Sequence, residues 1–360
     1  MAALNPTRSG PGEARSGATT VLAPPGGAAA QHAVLSSAFG DHGRVLLGEI
    51  QRHLASESDL MAICRYAVLP AGKLFRPILL LQSAMAVGGD AFRVLPAAAG
   101  TEYGHVASLI HDDVIDGDDL RRGRPSVPNR FGLENAIVSG DSLLFGIFRC
   151  LAACRDRGVP DDRIVMALGV VAQAGIDLCE GQSLESRMRG DLRCGVDAYL
   201  AMIRGKTAAL FRAACQSGAL LGGGTERQVE ALGVYGDSLG LAFQIWDDVL
   251  PYTSDSETAG KAADSDIRNR RITLPVIFVE QSGRPEDRAA LDRILTGVEP
   301  LEDAHARMLE LVTRTGALDA SRALAVRHVE AALGALRALP DTPSRDRLAT
   351  FAEAVVDRAR

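Results

Sequence analysis

Long stretches of helical periodicity restrict this chain more than any other feature of its sequence. From about Val34 onward, apolar residues recur at three- and four-residue spacing, and segments such as 164–184 and 196–221 run past 20 residues. Such spacing is typical of amphipathic α-helices. Glycines interrupt it at 88–89 and 222–224, and no strand alternation bounded by hairpin turns is found. We therefore predict an all-α protein built as one large helical bundle.

The first 30 residues differ from the rest of the chain. Gly, Pro, Ala and Ser are frequent in residues 1–30, and no apolar periodicity is present. We predict a disordered N-terminal tail there, not a targeting peptide. No internal repeat or linker divides residues 31–360, so we predict a single domain over that range.

Composition excludes several classes of protein. Hydrophobic residues make up 47% of the 360 residues, too many for a disordered chain. A net charge of -6 argues against a dedicated nucleic-acid binder. No run of about 18 uncharged apolar residues is present, so we expect no transmembrane segment. Six cysteines without a CxxC pair indicate buried thiols in a reducing compartment, which we take to be the cytoplasm.

The chain uses lysine very rarely. Only three of its 39 basic residues, counted as Lys plus Arg, are lysines: Lys73, Lys206 and Lys261. Because either cation usually serves on a solvated face, their retention has two interpretations. The lysines are chance survivors on the surface, or they occupy positions that need a compact ammonium and not a planar guanidinium.

The densest group of carboxylates follows an apolar helix at residues 112–119, where five of eight residues are aspartate. Asp112 and Asp116 are four apart and so lie on one helix face. The two anions repel unless a cation lies between them, and oxygen ligands suit Mg²⁺. The alternative is a solvated acidic helix end, but carboxylates at a helix C-terminus oppose the macrodipole. Since Arg121 and Arg122 follow at once, we favour a metal-bridged phosphate held by arginines.

A second acidic pair, Asp247-Asp248, again ends an apolar helix. Two adjacent aspartates are a weak signal alone. A polar and strongly basic stretch follows, however, and it includes Lys261 and Arg271. The setting therefore favours a second helix end that takes part in binding a metal or a phosphate.

The other two lysines lie in short motifs with more than one interpretation. Lys73 and Arg76 are three apart near a helix start marked by Pro77, so they hold one anion or are two surface cations. Lys206 follows a glycine, as at the end of a P-loop, but Leu200 stands where that motif requires glycine. The surroundings are also helical, so we discard a nucleotide-binding loop.

Together these motifs resemble the trans-isoprenyl diphosphate synthases, the polyprenyl synthetase family, and among them the geranylgeranyl and polyprenyl diphosphate synthases. The resemblance covers roughly residues 35–360. It is carried by segments 71–77, 112–122, 180–182, 206–211 and 260–275. All three lysines fall where the family places lysine against diphosphate, which favours the second interpretation of their retention.

The resemblance implies a fold, a reaction and a set of site residues. The fold is a homodimeric all-α bundle around a central cavity, and the reaction is Mg²⁺-dependent elongation of an allylic diphosphate by isopentenyl diphosphate, which releases pyrophosphate. Two Mg²⁺ on the first acidic motif and a third on the second would be held by Asp112, Asp113, Asp116, Asp247 and Asp248. The allylic diphosphate would be bound by Arg121, Lys206 and Lys261. The isopentenyl diphosphate would be bound by Lys73, Arg76, His105 and Arg122. Thr207 and Gln244 would lie beside the developing allylic cation.

Three positions depart from the family pattern. Pro251 stands where the second acidic motif usually has its third aspartate. It removes one carboxylate, and its ring predicts a helix that kinks or ends near Leu250. Leu74 replaces a residue that is frequently basic, and Arg271 stands where lysine is usual.

Other functions are known for the same fold and remain open. A terpene cyclase or an irregular prenyl-coupling enzyme shares the first acidic motif, but positions 247, 251 and 255 match the cyclase pattern poorly. Lys73 and Arg76 would also be idle in a cyclase that takes one substrate. A further alternative is a weakly catalytic subunit of a heteromeric synthase.

Product length is set in this family by residues before the first aspartate. The residues four and five positions earlier, Ser108 and Ala107, are both small, and the nearest bulky residue in that column is Tyr103. One helical turn rises about 5.4 Å, close to one extended isoprene unit. We therefore predict a product of C20 or longer with Tyr103 at the floor, and an Ala107→Phe variant that makes a shorter product.

Overall fold

Helices form nearly all of the regular structure in the described part of the chain, which is residues 42–253, 266–298 and 300–357 of a computed structural model. Its fifteen α-helices are α1 (His42–His53), α2 (Asp59–Val68), α3 (Phe75–Ala86), α4 (Ala91–Asp116), α5 (Val127–Phe131), α6 (Leu133–Ala153), α7 (Asp161–Met188), α8 (Val196–Ile203), α9 (Ala209–Leu221), α10 (Glu226–Val249), α11 (Leu274–Ser282), α12 (Pro285–Leu295), α13 (Leu301–Arg314), α14 (Ala317–Ala335) and α15 (Pro343–Val356). Two short strands, β1 (Leu120–Arg121) and β2 (Arg124–Pro125), pair antiparallel. The predicted all-α fold class is confirmed, and this small hairpin is the one addition within the described residues.

Local signals explain the ends of the two helices that carry the acidic motifs. Helix α4 begins after Asp90, whose carboxylate accepts a hydrogen bond from the N–H of Phe92 at 2.9 Å. It ends at Gly117, which has a φ of 67° that glycine adopts without strain. Helix α10 begins with a capping box between Thr225 and Gln228. Both acidic motifs therefore occupy the C-terminal turns of well-defined helices.

Proline ends α10 as predicted. The last α-helical residue is Val249, and a 3₁₀ turn over Leu250–Tyr252 follows. Pro251 lies in that turn, because its ring does not fit a continuing α-helix. The α-helix therefore ends directly after the second acidic motif.

The helices that carry the site are packed together in one continuous core. Helix α9 contacts α3, α7 and α10, and α4 contacts α3 and α6. Tyr103, Phe211 and Tyr235 are among the largest fully buried side chains. Burial of this much apolar surface fixes the positions of α4 and α10, and with them the two acidic helix ends.

Two predictions about the ends and the cysteines have separate outcomes. The predicted tail at residues 1–30 lies outside the described residues. All six cysteines are free thiols, but Cys179 is exposed and Cys194 is half-buried, so the prediction that all six are buried is wrong for these two. Cys179 lies on an outward face of α7, which the sequence pattern did not distinguish from the core.

Two neighbouring segments are long and apolar enough to cross a membrane by length and composition. They are Leu133–Arg157, which contains α6, and helix α7. Their most apolar windows are only 33% and 17% buried within the chain. Both segments contain charged residues, so neither is an uncharged apolar run of 18 residues, but each presents an apolar face outward.

Candidate active site

The two acidic helix ends meet at one cavity of about 390 Å³, called the acidic cavity below. Asp112 and Asp116 from α4 line it together with Asp247 and Asp248 from α10. The predicted opposition of the two motifs is thus present in the structure. Burial raises the pKa of Asp112, with Lys206 acting in the opposite direction. Carboxylates gathered in this way need cations to balance them.

A second cavity, of about 690 Å³, adjoins the first and is called the cationic cavity. The basic residues of the predicted substrate-binding set that line it are Lys73, Arg76, His105, Arg122 and Lys206. Gly72 lets Arg122 reach this position, because a Cβ on Gly72 would lie 2.6 Å from Nη2 of Arg122. Among the predicted substrate ligands, Lys261 lies outside the described residues.

Five residues line both cavities and so form the boundary between them. They are Asp112, Lys206, Thr207, Gln244 and Asp247. All five were predicted from the sequence to bind a metal or a diphosphate or to lie beside the allylic cation. Two charged ligands, one in each cavity, would therefore meet at this boundary.

Lys206 and Thr207 are positioned by a π-helical turn, Arg204–Ala208, between α8 and α9. Gly181 on α7 permits the close approach, because a Cβ there would lie 2.2 Å from the backbone N of Lys206. The ammonium of Lys206 lies 2.5 Å from Glu185 Oε2 and 4.0 Å from Asp112 Oδ1. The Thr207 hydroxyl donates to Gln244 Oε1 at 2.7 Å. A π turn of this kind inside a helical segment is frequent at functional sites.

Two arginines close over Asp116. Arg271 Nη2 lies 2.6 Å from one carboxylate oxygen, and Arg189 contacts the other. The side chain of Asp116 is only 3% exposed as a result. Burial works against the charge of Arg271, but Asp266 and Asp116 outweigh it and raise the pKa of the guanidinium. Arg271, which stands where lysine is usual, thus forms a direct ion pair with the first acidic motif.

Asp113 faces away from the acidic cavity, which corrects its assignment as a metal ligand. It is 2% exposed and accepts a hydrogen bond from Arg121 Nε at 2.8 Å. One residue along an α-helix is a rotation of about 100°, so Asp113 points to a different side from Asp112. Its role in this structure is to hold Arg121, whose guanidinium also pairs with Asp118 and lines the acidic cavity.

Asp248 lies deeper than its neighbour Asp247. Burial raises its pKa to about 7, while hydrogen bonds from Tyr199 and Gln244 favour the charged form. The Tyr199 hydroxyl lies 2.7 Å from Oδ2, and Gln244 Nε2 lies 2.9 Å from Oδ1. Asp266 and Pro251 both line the acidic cavity, so the segment after α10 supplies a carboxylate to a cavity in which Pro251 supplies none.

The donor set of the acidic cavity suits a hard divalent cation. The acidic side chains that line it are aspartates and one glutamate. Mg²⁺ prefers such oxygen ligands over sulfur and nitrogen donors. Within the described residues, no three acidic, histidine or cysteine side chains converge closely enough to hold an ion. Arg189, Arg271 and Lys206 already pair with the carboxylates, so a metal would have to exchange with these cations.

The predicted chain-length residues are divided between two faces of α4. Ser108 lines the cationic cavity, and Gly104 and Thr101 line a narrow apolar cavity that shares Arg76 and Leu210 with it. This column leads away from the boundary residues along one face of the helix.

Tyr103 and Ala107 lie on the other face of α4. The Tyr103 hydroxyl donates to the carbonyl of Ile50 at 2.8 Å, and neither residue lines the two cavities. The expectation that Tyr103 forms the floor is therefore corrected. Ala107 is fully buried, so an Ala107→Phe change would overpack the core and would not block the cavity. Overpacking of this kind lowers the free energy of unfolding by about 1–3 kcal/mol.

Sequence reasoning missed three residues of the site. Glu185 and Arg189 line the acidic cavity from the end of α7, and Glu102 lines the cationic cavity. A helical signal was available for Glu102, since it lies three residues before His105 on the stripe that continues to Asp112. For Arg189 no such signal exists, because it follows the last residue of α7 and reaches Asp116 only through the fold.

A helical bundle whose central cavity joins two opposed acidic helix ends belongs to the isoprenoid synthase class. Comparison with known families gives the more specific assignment. The polyprenyl synthetase family matches residues 57–312, and the chain belongs to this family.

Individual relatives agree with the family assignment. The chain is 38% identical over 300 residues to a short chain isoprenyl diphosphate synthase of Methanothermobacter thermautotrophicus, which covers 83% of this chain and 90% of that protein. The geranylgeranyl pyrophosphate synthetase of Pyrococcus horikoshii matches with a TM-score of 0.82 and 31% identity over 91% of this chain and 98% of that one. A polyprenyl synthase of Caulobacter crescentus, complexed with calcium and isoprenyl diphosphate, matches with a TM-score of 0.81 and 31% identity over 92% and 98%.

Proposed function

We propose that this chain is a trans-prenyl diphosphate synthase that condenses isopentenyl diphosphate with an allylic diphosphate, head to tail, to a product of C20 or longer. The observation that carries the proposal is the boundary between an acidic and a cationic cavity, formed by the five residues named above. The acidic cavity takes the allylic diphosphate, and the cationic cavity takes isopentenyl diphosphate. The reacting carbons then meet at the boundary.

The reaction breaks the C–O bond of the allylic diphosphate and leaves a carbocation. The isopentenyl double bond attacks this cation, a new C–C bond forms, and a proton leaves to an oxygen of the departing pyrophosphate. Lys206 and Arg121 stabilise the negative charge on that pyrophosphate from fixed positions in the acidic cavity. Gln244, which is held by Thr207 at 2.7 Å, keeps an oxygen dipole beside the cation.

Mg²⁺ is the proposed cofactor, with three ions in each active site. Asp112 and Asp116 would hold ions on the α4 side, and Asp247 with Asp248 would hold one on the α10 side. When bound, the ions neutralise the diphosphate charge and thereby assist cleavage of the C–O bond. The Caulobacter relative, which is complexed with calcium and isoprenyl diphosphate, supports a role for a divalent cation.

Product analysis of the purified protein tests the function. With Mg²⁺, isopentenyl diphosphate and an allylic primer, we expect a prenyl diphosphate of C20 or longer by mass spectrometry, and none after EDTA treatment. Hydrocarbon formed from the allylic substrate alone would instead identify a cyclase. No turnover until a second protein is added would identify a subunit of a heteromeric synthase.

A homodimer in the cytoplasm is the proposed assembly. The outward faces of α6 and α7 expose Phe145, Val138, Val165 and Ile176 in two adjacent helices. Apolar faces of this extent are unfavourable in water. Because α6 packs against α4 and α7 against α9, a second copy on this surface would support both walls of the cavities.

Phe145→Glu is expected to convert the dimer into a monomer. The side chain of Phe145 is 71% exposed in the isolated chain, and a carboxylate there would lose its hydration in an apolar interface. Light scattering coupled to size-exclusion chromatography gives the mass directly. Phe92→Glu is the matched control, since Phe92 is 62% exposed but lies at the start of α4. A Phe145→Glu protein that keeps the mass of the wild type would place the interface elsewhere.

A further inference from the structure

The cationic cavity contains one carboxylate that the proposed reaction does not use. Glu102 on α4 is 2% exposed and lines the cavity beside Arg76, His105 and Arg122. Its Oε1 atom is buried without a hydrogen-bond partner among the described residues. A buried polar atom without a partner costs about 1–3 kcal/mol, so its retention calls for a ligand that supplies the partner.

Arg76, which lines the same cavity, also has a buried side-chain atom without a hydrogen-bond partner in the part of the chain that the structure describes. Its guanidinium stacks on the ring of Phe211 at 4.4 Å from the centroid, and its Nε has no hydrogen-bond partner in the described structure. Burial lowers the pKa of Arg76 to about 10, while Glu102 and Asp247 favour its charge. The Arg76 side chain remains cationic near neutral pH, and it lines the cavity without a carboxylate ion pair among the described residues.

Glu102 and the nearby arginines do not satisfy one another. In residues 42–253, 266–298 and 300–357, no ion pair within 4.0 Å joins Glu102 to Arg76 or Arg122. Burial raises the pKa of Glu102, and the charges of Arg122 and Arg76 act against this. Arg76 and Arg122 are thus near enough to act on the charge of Glu102, but neither is joined to it by an ion pair among the described residues.

A diphosphate bound in the cationic cavity would change the electrostatic environment of Glu102. Its oxygens would pair with Arg76 and Arg122 and so remove the attraction that these cations exert on the carboxylate. An ionised Glu102 would then face the diphosphate with like charge, whereas a protonated Glu102 would donate a hydrogen bond to it. Buried carboxyl groups that stay neutral and donate hydrogen bonds to anionic oxygens are a known arrangement.

We propose that Glu102 takes up a proton from solvent when isopentenyl diphosphate binds and donates a hydrogen bond from its carboxyl group to a diphosphate oxygen. The inference rests on the proposed function, since it assigns isopentenyl diphosphate to the cationic cavity. It makes Glu102 a binding residue for the second substrate. It also links the affinity for that substrate to pH, with weaker binding as pH rises.

Other charged groups around Glu102 have to be considered as the site of protonation. Arg76 comes from α3, Lys73 from the segment before it, Arg122 from the turn after β1 and Asp247 from α10. His105 lies on α4 itself, and burial together with Arg76 and Arg122 lowers its pKa well below the ordinary value. His105 is therefore neutral in the empty cavity, and it competes for a proton together with the carboxylates of Asp112 and Asp247 in the described lining.

Calorimetric titration with isopentenyl diphosphate in metal-free buffers of different ionisation enthalpy tests the proposal. Metal is left out so that the acidic cavity does not contribute. The wild type is expected to take up about one proton more per bound ligand than Glu102→Gln, because glutamine keeps a donor but does not titrate. Protonation of the diphosphate itself affects both proteins equally and cancels in the difference.

Affinity supplies a second readout. Glu102→Gln is expected to bind isopentenyl diphosphate as tightly as the wild type at low pH, and with less dependence on pH. Glu102→Ala loses the donor and is expected to bind about 10- to 100-fold more weakly, as for a hydrogen bond to a charged group. Circular dichroism confirms that each variant is folded.

The possible outcomes separate the inference from the proposed function. Equal proton uptake by wild type and Glu102→Gln overturns the inference, and so does loss of the difference in a His105→Asn background. Absence of any binding of isopentenyl diphosphate by the folded wild type overturns the proposed function and the inference with it. Binding with an uptake difference that persists in His105→Asn supports both.

Discussion

Lys206→Ala is expected to lower kcat by about 10²–10³-fold, the loss seen when one preorganised group at a developing negative charge is removed. The ammonium lies between Glu185 and Asp112 at the boundary of the two cavities. It therefore acts on the leaving pyrophosphate, while isopentenyl diphosphate contacts other cations. Steady-state assays with each substrate varied should show the loss in kcat with little change in KM for isopentenyl diphosphate.

Arg204→Ala is the matched control for this variant. Arg204 lies on the same π-helical turn, but its side chain is half exposed and pairs with Asp237 at 3.1 Å, away from the boundary. Exposed pairs of this kind contribute little, so Arg204→Ala should keep nearly all of its activity. A Lys206→Ala enzyme as fast as Arg204→Ala would contradict the assignment of Lys206 to the leaving group.

Ser108→Phe is expected to stop elongation at C15 or earlier. Ser108 lines the cationic cavity one turn from Gly104 and two turns from Thr101, which line the apolar cavity that leads away from it. A phenyl ring at Ser108 would close this route close to the reacting carbons. Because one turn corresponds to about 5.4 Å, each turn that is blocked removes about one isoprene unit. Product masses from a single incubation give the distribution directly.

The Tyr103→Phe variant tests whether product length is set by the Ser108 face of α4 or by Tyr103, as the sequence predicted. The Tyr103 hydroxyl bonds to the Ile50 carbonyl on the far side of α4, so its removal should cost about 1 kcal/mol of stability and leave product length unchanged. Longer products from Tyr103→Phe, with an unchanged distribution from Ser108→Phe, would restore Tyr103 as the floor.

Periodicity and spacing were sufficient for the fold class and for most of the site. Asp112 and Asp116 at four-residue spacing predicted one helix face, and the structure places both in the acidic cavity. Pro251 predicted the end of its helix for a local reason, namely the ring itself. Features that depend on a few adjacent residues were therefore predictable.

Features that depend on how helices are packed were not predictable in the same way. Whether Tyr103 or Ser108 faces the cavity depends on the rotation of α4 against α1 and α9, which its nearly uniform apolar sequence does not specify. The ion pairs of Asp116 join residues 73 and 155 positions apart in the chain. Asp113 was the exception, since helical geometry alone separates it from Asp112.

The two arginines on Asp116 have a consequence for how the protein folds when no metal is bound. In a zinc finger the ion is part of what holds the fold together. In this chain, Arg189 and Arg271 act as built-in counterions, so the repulsion among the carboxylates is already relieved. The polypeptide is therefore expected to fold without a divalent ion, in contrast to a zinc finger.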